Sequence, residues 1–153
     1  MKAAIALLAD YQVQNYIRRI VFELEQETKI DFLASLLPAH ISLKQPFSFE
    51  NMERLEEYFD SLSARIIPFR VDLNEIYYTE WDGYGILGID VKETGTLRRL
   101  HNQLNRELST LFLDTSAPHD GDEYRFHMTI ELGKVEKLNP YQAYFEKIED
   151  RKV

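Results

Sequence analysis

Two histidines, each followed two residues later by a hydroxyl residue, have the side chains best suited to chemistry in this sequence. They are His40, followed by Ser42, and His127, followed by Thr129. Histidine titrates near neutral pH, so one member of a pair can act as a base while the other acts as an acid. A hydroxyl can donate a hydrogen bond to an oxygen on which negative charge is held. The pairing predicts metal-independent hydrolysis of a phosphodiester, in which one histidine deprotonates water and the other protonates the leaving oxygen.

Each motif lies in a segment where apolar and polar residues alternate, which is typical of a half-buried strand. The first segment runs from His40 to Lys44 and the second from Phe126 to Leu132. Because successive strand side chains point to opposite faces, the histidine and the hydroxyl of each motif should share one polar face. The same alternation places Glu131 on the polar face of the second strand and Leu132 in the core.

Three neighbours of the motifs are predicted to contact the substrate. Lys44 should share the face of His40 and Ser42, and Arg125 should share the face of His127. Both cations suit phosphate, and the ring of Tyr124 could stack on a base. A surface lysine and packing at the rim of the site are the structural alternatives.

The remaining pattern predicts strands and helices in alternation. Strands are expected at residues 3–9, 69–78 and 84–91, and the Asp82-Gly83 turn should join the last two as a hairpin. Helices are expected at residues 13–24, 52–62 and 97–111, with a closing helix after Asn139-Pro140. Both halves contain a strand–helix–strand unit with a histidine on its second strand. We predict a single domain over residues 1–153, built as two pseudo-repeat lobes.

Composition limits the partners of the chain. Its 153 residues carry a formal net charge of −8 and include no cysteine, so thiolate chemistry is excluded. The acidic balance disfavours tracking along nucleic acid but permits a small nucleotide or the terminal phosphate of an RNA. Residues 119–123 lack a second ligand group at a recognisable spacing, which favours an acidic loop over a metal site. The apolar N-terminal run is interpreted as a strand and not as a signal peptide, and no apolar stretch approaches membrane-spanning length, so we expect a cytoplasmic protein without membrane contact. We also expect a monomer that uses no cofactor or metal.

The two motifs, His40-Ile41-Ser42-Leu43 and His127-Met128-Thr129-Ile130, resemble the H-x-[ST]-x motifs of the 2H phosphoesterase superfamily. That superfamily includes 2′-5′ RNA ligase-like proteins and cyclic nucleotide phosphodiesterases. The resemblance implies a bilobal, duplicated α+β fold, with antiparallel sheets lining a central cleft and helices packed on the outer faces. It also implies chemistry on a 2′,3′-cyclic or 2′-5′ phosphodiester, with His40, Ser42, His127 and Thr129 as the catalytic residues.

Two other functions stay open at this stage. The sparse cations favour a module of the same fold that binds a nucleotide or phosphate without turnover. A purely structural interaction protein would be unaffected in binding and activity by replacement of both histidines. The sequence also leaves open which histidine is the acid, which base is preferred, and whether hydrolysis or ligation takes place.

Overall fold

Helices and antiparallel sheets alternate along the chain, which confirms the predicted α+β class. The computed structural model describes residues 1–28 and 36–136. The elements are β1 (Lys2–Leu8), α1 (Tyr11–Thr28), β2 (His40–Ser48), α2 (Met52–Arg65), β3 (Leu73–Trp81), β4 (Tyr84–Val91), α3 (Gly95–Leu111) and β5 (His127–Lys134). β3 begins four residues later than the predicted start at residue 69, and the predicted closing helix lies outside the described residues. Within the described ranges, no helix is long and apolar enough to cross a membrane.

Turn and capping residues explain several element boundaries. Asp82 and Gly83 have φ angles of +47° and +76° and join β3 to β4 as a two-residue hairpin. Asp-Gly suits this turn because both of its central residues need positive φ. The side chains of Asn51 and Thr94 each accept a hydrogen bond from a backbone N–H in the first turn of α2 and α3. The predicted hairpin is confirmed.

The described strands form one two-stranded and one three-stranded sheet, and each sheet carries one histidine motif. β1 pairs with β2, while β3, β4 and β5 form an antiparallel meander with β4 in the centre. Backbone hydrogen bonds join Met1 to Phe49 and Ala9 to Ala39, at 3.1 and 3.0 Å, so the first pair is antiparallel as well. His40 opens β2 and His127 opens β5.

A bulge in β5 shifts the alternation beyond the second motif. Gly88 is opposite Thr129 whereas Leu87 is opposite Glu131, so Ile130 is an extra residue between the two pairs. Glu131 is only 2% exposed and Leu132 is 45% exposed. The prediction that Glu131 lies on the polar face and Leu132 in the core is therefore wrong. The prediction assumed strict alternation, and an inserted residue reverses the faces of the residues that follow it.

The chain divides into two compact units, each assembled from several segments. The first comprises Met1–Ala6, Ser42–Val71 and Glu93–Arg125, and the second comprises Leu7–Ile41, Asp72–Lys92 and Phe126–Val153. In the first unit, the rings of Phe47, Phe49 and Phe112 form a cluster with centroids 6.2–6.4 Å apart. In the second unit, the three-stranded sheet contributes buried residues including Ile89, Met128 and Ile130. The single domain with two pseudo-repeat lobes stays a prediction.

Candidate active site

His40 opens β2 next to a backbone that α1 holds in place. The side-chain amide of Gln14 donates to the Ala39 carbonyl at 2.8 Å and accepts from the Ala39 N–H at 2.9 Å. The Nδ1 atom of the half-buried His40 lies 2.9 Å from the carbonyl oxygen of Pro38. Because a carbonyl oxygen only accepts hydrogen bonds, Nδ1 must carry a proton. In the neutral ring Nε2 is then the nitrogen that can accept a hydrogen bond or a proton.

His127 and Thr129 lie on one face of the three-stranded sheet. Both are half-buried, whereas Met128 and Ile130 between and after them are 3% and 0% exposed. This burial pattern agrees with the predicted alternation. Asp90 on β4 is directly opposite His127, and directly opposed residues of antiparallel strands point to the same side of a sheet. We call this side, which carries Tyr77, Gly88, Asp90, His127 and Thr129, the His127 face.

Gly88 leaves room on the His127 face for the ring of Tyr77. The two residues are opposite each other in β3 and β4. A Cβ atom on Gly88 would lie 2.9 Å from the Met128 carbonyl oxygen and 3.2 Å from Cε1 of Tyr77. The Tyr77 and His127 rings meet edge to face, with centroids 6.4 Å apart and an interplanar angle of 87°. Tyr77 therefore packs beside His127 because the central strand carries no side chain at this point.

Ser42 lies in the first unit together with Tyr124. Ser42 is half-buried, and its backbone carbonyl accepts a 3.0 Å hydrogen bond from the Tyr124 hydroxyl. Tyr124 is 3% exposed, and its ring stacks on that of His101 with centroids 4.5 Å apart. Burial raises the pKa of Tyr124, which keeps its hydroxyl protonated as a donor. In this structure Tyr124 supports the packing of β2 and offers no open ring face to a base.

Lys44 is covered by the loop that follows α3. Its side chain is 1% exposed, and its ammonium forms an ion pair with the carboxylate of Asp120. Nζ of Lys44 also lies 5.8 Å from the ring centroid of Phe47. Alternation places Lys44 on the face of β2 opposite the buried Leu43. It gives no information about the distant loop that covers Lys44. The predicted position of Lys44 on an open face is therefore corrected to a buried ion pair.

The predicted site residues are divided between the two units. His40, His127 and Thr129 belong to the second unit, so both histidines are in the same one. The first unit contains the others, which are Ser42, Lys44, Tyr124 and Arg125. Arg125 is exposed. Across residues 1–28 and 36–136, no group of three or more histidine, aspartate or glutamate side chains is placed to hold a metal ion.

Comparison with models of protein families decides the classification. The model of the 2′-5′ RNA ligase superfamily matches residues 9–152, which include both histidine motifs. This chain belongs to that superfamily. The match confirms the resemblance to the 2H phosphoesterases that the two motifs indicate. Membership in the 2′-5′ RNA ligase superfamily supports a phosphoesterase role for the protein.

A solved structure shows the same fold as this superfamily member. Usb1 from Kluyveromyces marxianus matches with a TM-score of 0.50 and 11% sequence identity, over 97% of this chain and 81% of that chain. At this identity the similarity shows the fold alone. No curated protein matches the chain significantly.

Some residues beside the motifs of this 2′-5′ RNA ligase superfamily member were not singled out from the sequence. Gln14 holds the backbone before His40, and Asp90 is opposite His127. Both contacts depend on how distant segments pair, and Asp90 and His127 are 37 residues apart in the chain (127 minus 90). Counting outward from the Asp82-Gly83 turn places β4 but does not give its register with β5.

Proposed function

We propose that this protein is a metal-independent phosphoesterase that hydrolyses, or reversibly forms, a 2′,3′-cyclic or 2′-5′ phosphodiester of a nucleotide or an RNA end. The observation that carries the proposal is the matched setting of His40 and His127. Each opens a strand, is half-buried, precedes a buried apolar residue, and is followed two positions later by a half-buried hydroxyl residue. Both also belong to the same compact unit.

In the proposed hydrolysis, one histidine takes a proton from water while the water oxygen attacks phosphorus. The bond from phosphorus to one ribose oxygen breaks, and the second histidine gives that oxygen a proton. The products are a phosphomonoester and a ribose hydroxyl, and the two histidines have exchanged protonation states. Ser42 and Thr129 are proposed to donate hydrogen bonds to the non-bridging oxygens, and Arg125 to supply a positive charge.

The test is hydrolysis of the four nucleoside 2′,3′-cyclic monophosphates, and of a 2′-5′-linked dinucleotide, in the presence of EDTA. His40→Asn and His127→Asn are compared with wild type and with His119→Asn. His119 is an exposed loop residue at φ +66°, a conformation that asparagine also tolerates, so it provides a matched control. We expect each motif variant to lose about 10²–10⁴-fold in kcat, the usual contribution of a positioned acid or base, and the control to keep full activity.

The outcomes separate the proposal from its alternatives. Full activity in either motif variant would contradict the two-histidine mechanism, and loss of wild-type activity in EDTA would contradict metal independence. A folded wild-type protein that binds these nucleotides without turnover would instead support the non-catalytic binding module.

A further inference from the structure

We propose that Asp90 positions His127 and stabilises its protonated ring, which makes His127 the general acid of the hydrolysis and His40 the general base. The assignment of catalytic roles rests on the proposed function, whereas the pairing of Asp90 with His127 does not. Asp90 lies on the central strand of the three-stranded sheet, directly opposite His127 on β5. The side chains of both residues therefore project from the His127 face.

The register makes this a close pair. The N–H of Val91 donates to the carbonyl of Phe126 at 3.2 Å, so these neighbours form a hydrogen-bonded pair of the ladder. Hydrogen-bonded and non-hydrogen-bonded pairs alternate along antiparallel strands, so Asp90 and His127 form a non-hydrogen-bonded pair. In such pairs the Cα atoms are about 4.5 Å apart and the side chains approach each other most closely. A carboxylate and an imidazole at this spacing are within reach of a direct hydrogen bond.

Neighbouring side chains restrict both members of the pair. Nδ2 of Asn74 donates to Oδ2 of Asp90 at 3.3 Å. A carboxylate has about four acceptor sites, so this bond orients Asp90 and leaves it able to accept from an imidazole N–H. The ring of Tyr77 meets the ring of His127 edge to face. Asp90 thus lies opposite the histidine on the adjacent strand β4, and the ring of Tyr77 approaches the histidine from β3, on the far side of β4.

The two histidines differ in the charge of the group beside them. Nδ1 of His40 faces the neutral carbonyl of Pro38, at 2.9 Å. Asp90 is an anion, and a negative charge within about 4–6 Å favours the protonated form of an imidazole. His127 therefore starts the reaction with the proton that the leaving oxygen needs. His40, with Nε2 as its acceptor, starts as the base.

Other ionisable groups near His127 act differently from Asp90. Tyr77, on β3, is uncharged near neutral pH. Arg125 is two residues earlier in the chain, and its positive charge disfavours the imidazolium. Glu131 is buried opposite Leu87, on the other side of the sheet. Glu75 lies at the irregularity of β3 opposite Asp90, one strand further from His127. Among the described residues of the sheet, Asp90 is therefore the carboxylate directly opposite His127 in the ladder.

Titration of the histidine ring signals by NMR, from about pH 5 to 9, tests the pairing without any activity. The His127 signal is assigned by its absence from His127→Asn. We expect Asp90→Asn to lower the titration midpoint of His127 by about one pH unit and to leave that of His119 unchanged. The matched control is Asp82→Asn in the β3–β4 turn, where asparagine is equally suited to positive φ. An unchanged His127 midpoint in Asp90→Asn would overturn the proposal.

The pH profile of kcat/KM tests the assignment of acid and base. If His127 is the acid, Asp90→Asn should move the basic limb of the profile to lower pH by about one unit and reduce kcat by about tenfold or more, with little change in KM. Movement of the acidic limb instead would overturn the assignment of His127 as the acid. A shifted His127 midpoint in a protein that hydrolyses none of the diesters would support the pairing and refute the proposed function.

Discussion

A histidine that transfers protons needs a neighbour that determines its tautomer and its orientation. For His40 that neighbour is the carbonyl of Pro38, next to a residue held by Gln14. For His127 the neighbours are Asp90 and the ring of Tyr77. Tyr77 occupies its position because Gly88, between it and β5, has no side chain. At the scale of single residues, Gly88 is thus a position of the His127 face where even a methyl group does not fit without displacing its neighbours.

We predict that Gly88→Ala lowers both stability and activity. Its Cβ would lie 2.9 Å from the backbone oxygen of Met128, which belongs to the β4–β5 ladder and cannot move independently. Overpacking of this kind costs about 1–3 kcal/mol in the free energy of unfolding, measurable by urea denaturation. Displacement of Tyr77 should also reduce kcat for the cyclic nucleotides.

Gly95→Ala is the matched control for this prediction. The nearest atom to a Cβ on Gly95 would be Nη1 of Arg99, at 3.7 Å, which is an ordinary contact. Alanine is also the better helix former, so stability should be unchanged or slightly raised. Wild-type stability and activity in Gly88→Ala would show that the close approach at this point is not required.

At the scale of elements, α2 and α3 are joined through one carboxylate of the first unit. Glu107 on α3 accepts hydrogen bonds from both terminal nitrogens of Arg65, at 3.0 and 3.1 Å, and from the hydroxyl of Tyr58, at 2.8 Å. The hydrogen bonds from Arg65 contribute most to lowering the pKa of Glu107 to about 2. Burial, followed by the bond to Glu107, raises the pKa of Tyr58. The two helices are therefore held together more firmly while Glu107 is ionised.

We predict that Glu107→Gln destabilises the protein in a pH-dependent way. The pKa of Glu107 is depressed in the folded state from an ordinary value of 4.5, so its stabilising contribution is complete above about pH 4.5 and is lost as the pH falls through about 2. The difference in unfolding free energy between wild type and variant should be largest near neutral pH and shrink across this range. Urea denaturation at several pH values measures it. Glu57→Gln, at an exposed position of α2, is the control. A difference independent of pH would contradict the predicted role of the carboxylate.

At the scale of the whole molecule, the net charge of −8 disfavours binding to a long phosphate backbone. Binding along an RNA backbone requires several cations, each of which adds to the dependence of affinity on salt. Lys44, one of the predicted cations near the motifs, is already paired with Asp120. Recognition should therefore be confined to the nucleotide that carries the reacting phosphate.

We predict that lengthening the substrate gains little affinity. RNA oligonucleotides of increasing length that end in a 2′,3′-cyclic phosphate should have KM values close to that of the cyclic mononucleotide. The slope of log KM against log salt concentration should be about one or less, as expected for about one phosphate contact. A KM that falls steadily with length, with a slope of several, would reveal an extended RNA-binding surface instead.

Features that depend on neighbouring residues in the chain can be predicted without the fold. The Asp82-Gly83 pair specifies its hairpin because both residues tolerate positive φ. The alternation around His40 and His127 predicts each histidine on the polar face of its strand beside buried apolar residues. In the structure both histidines are half-buried, and Ile41 and Met128 next to them are buried. The two motifs also indicate the superfamily to which the chain belongs. Each of these signals spans only a few residues, so no knowledge of packing is needed to interpret it.

The surroundings of those residues depend on contacts between segments that are far apart in the chain. Lys44 is covered by Asp120, which is 76 residues away in the chain, and Tyr124 is buried against His101. Asp90 faces His127 because β4 and β5 pair in one register, and the bulge at Ile130 then turns Glu131 inward. Alternation assigns a side chain to a face of its strand, but the register and the covering loops follow from the packing of distant segments. That packing is a balance of burial and hydrogen bonding over the whole fold, which no short stretch of sequence contains.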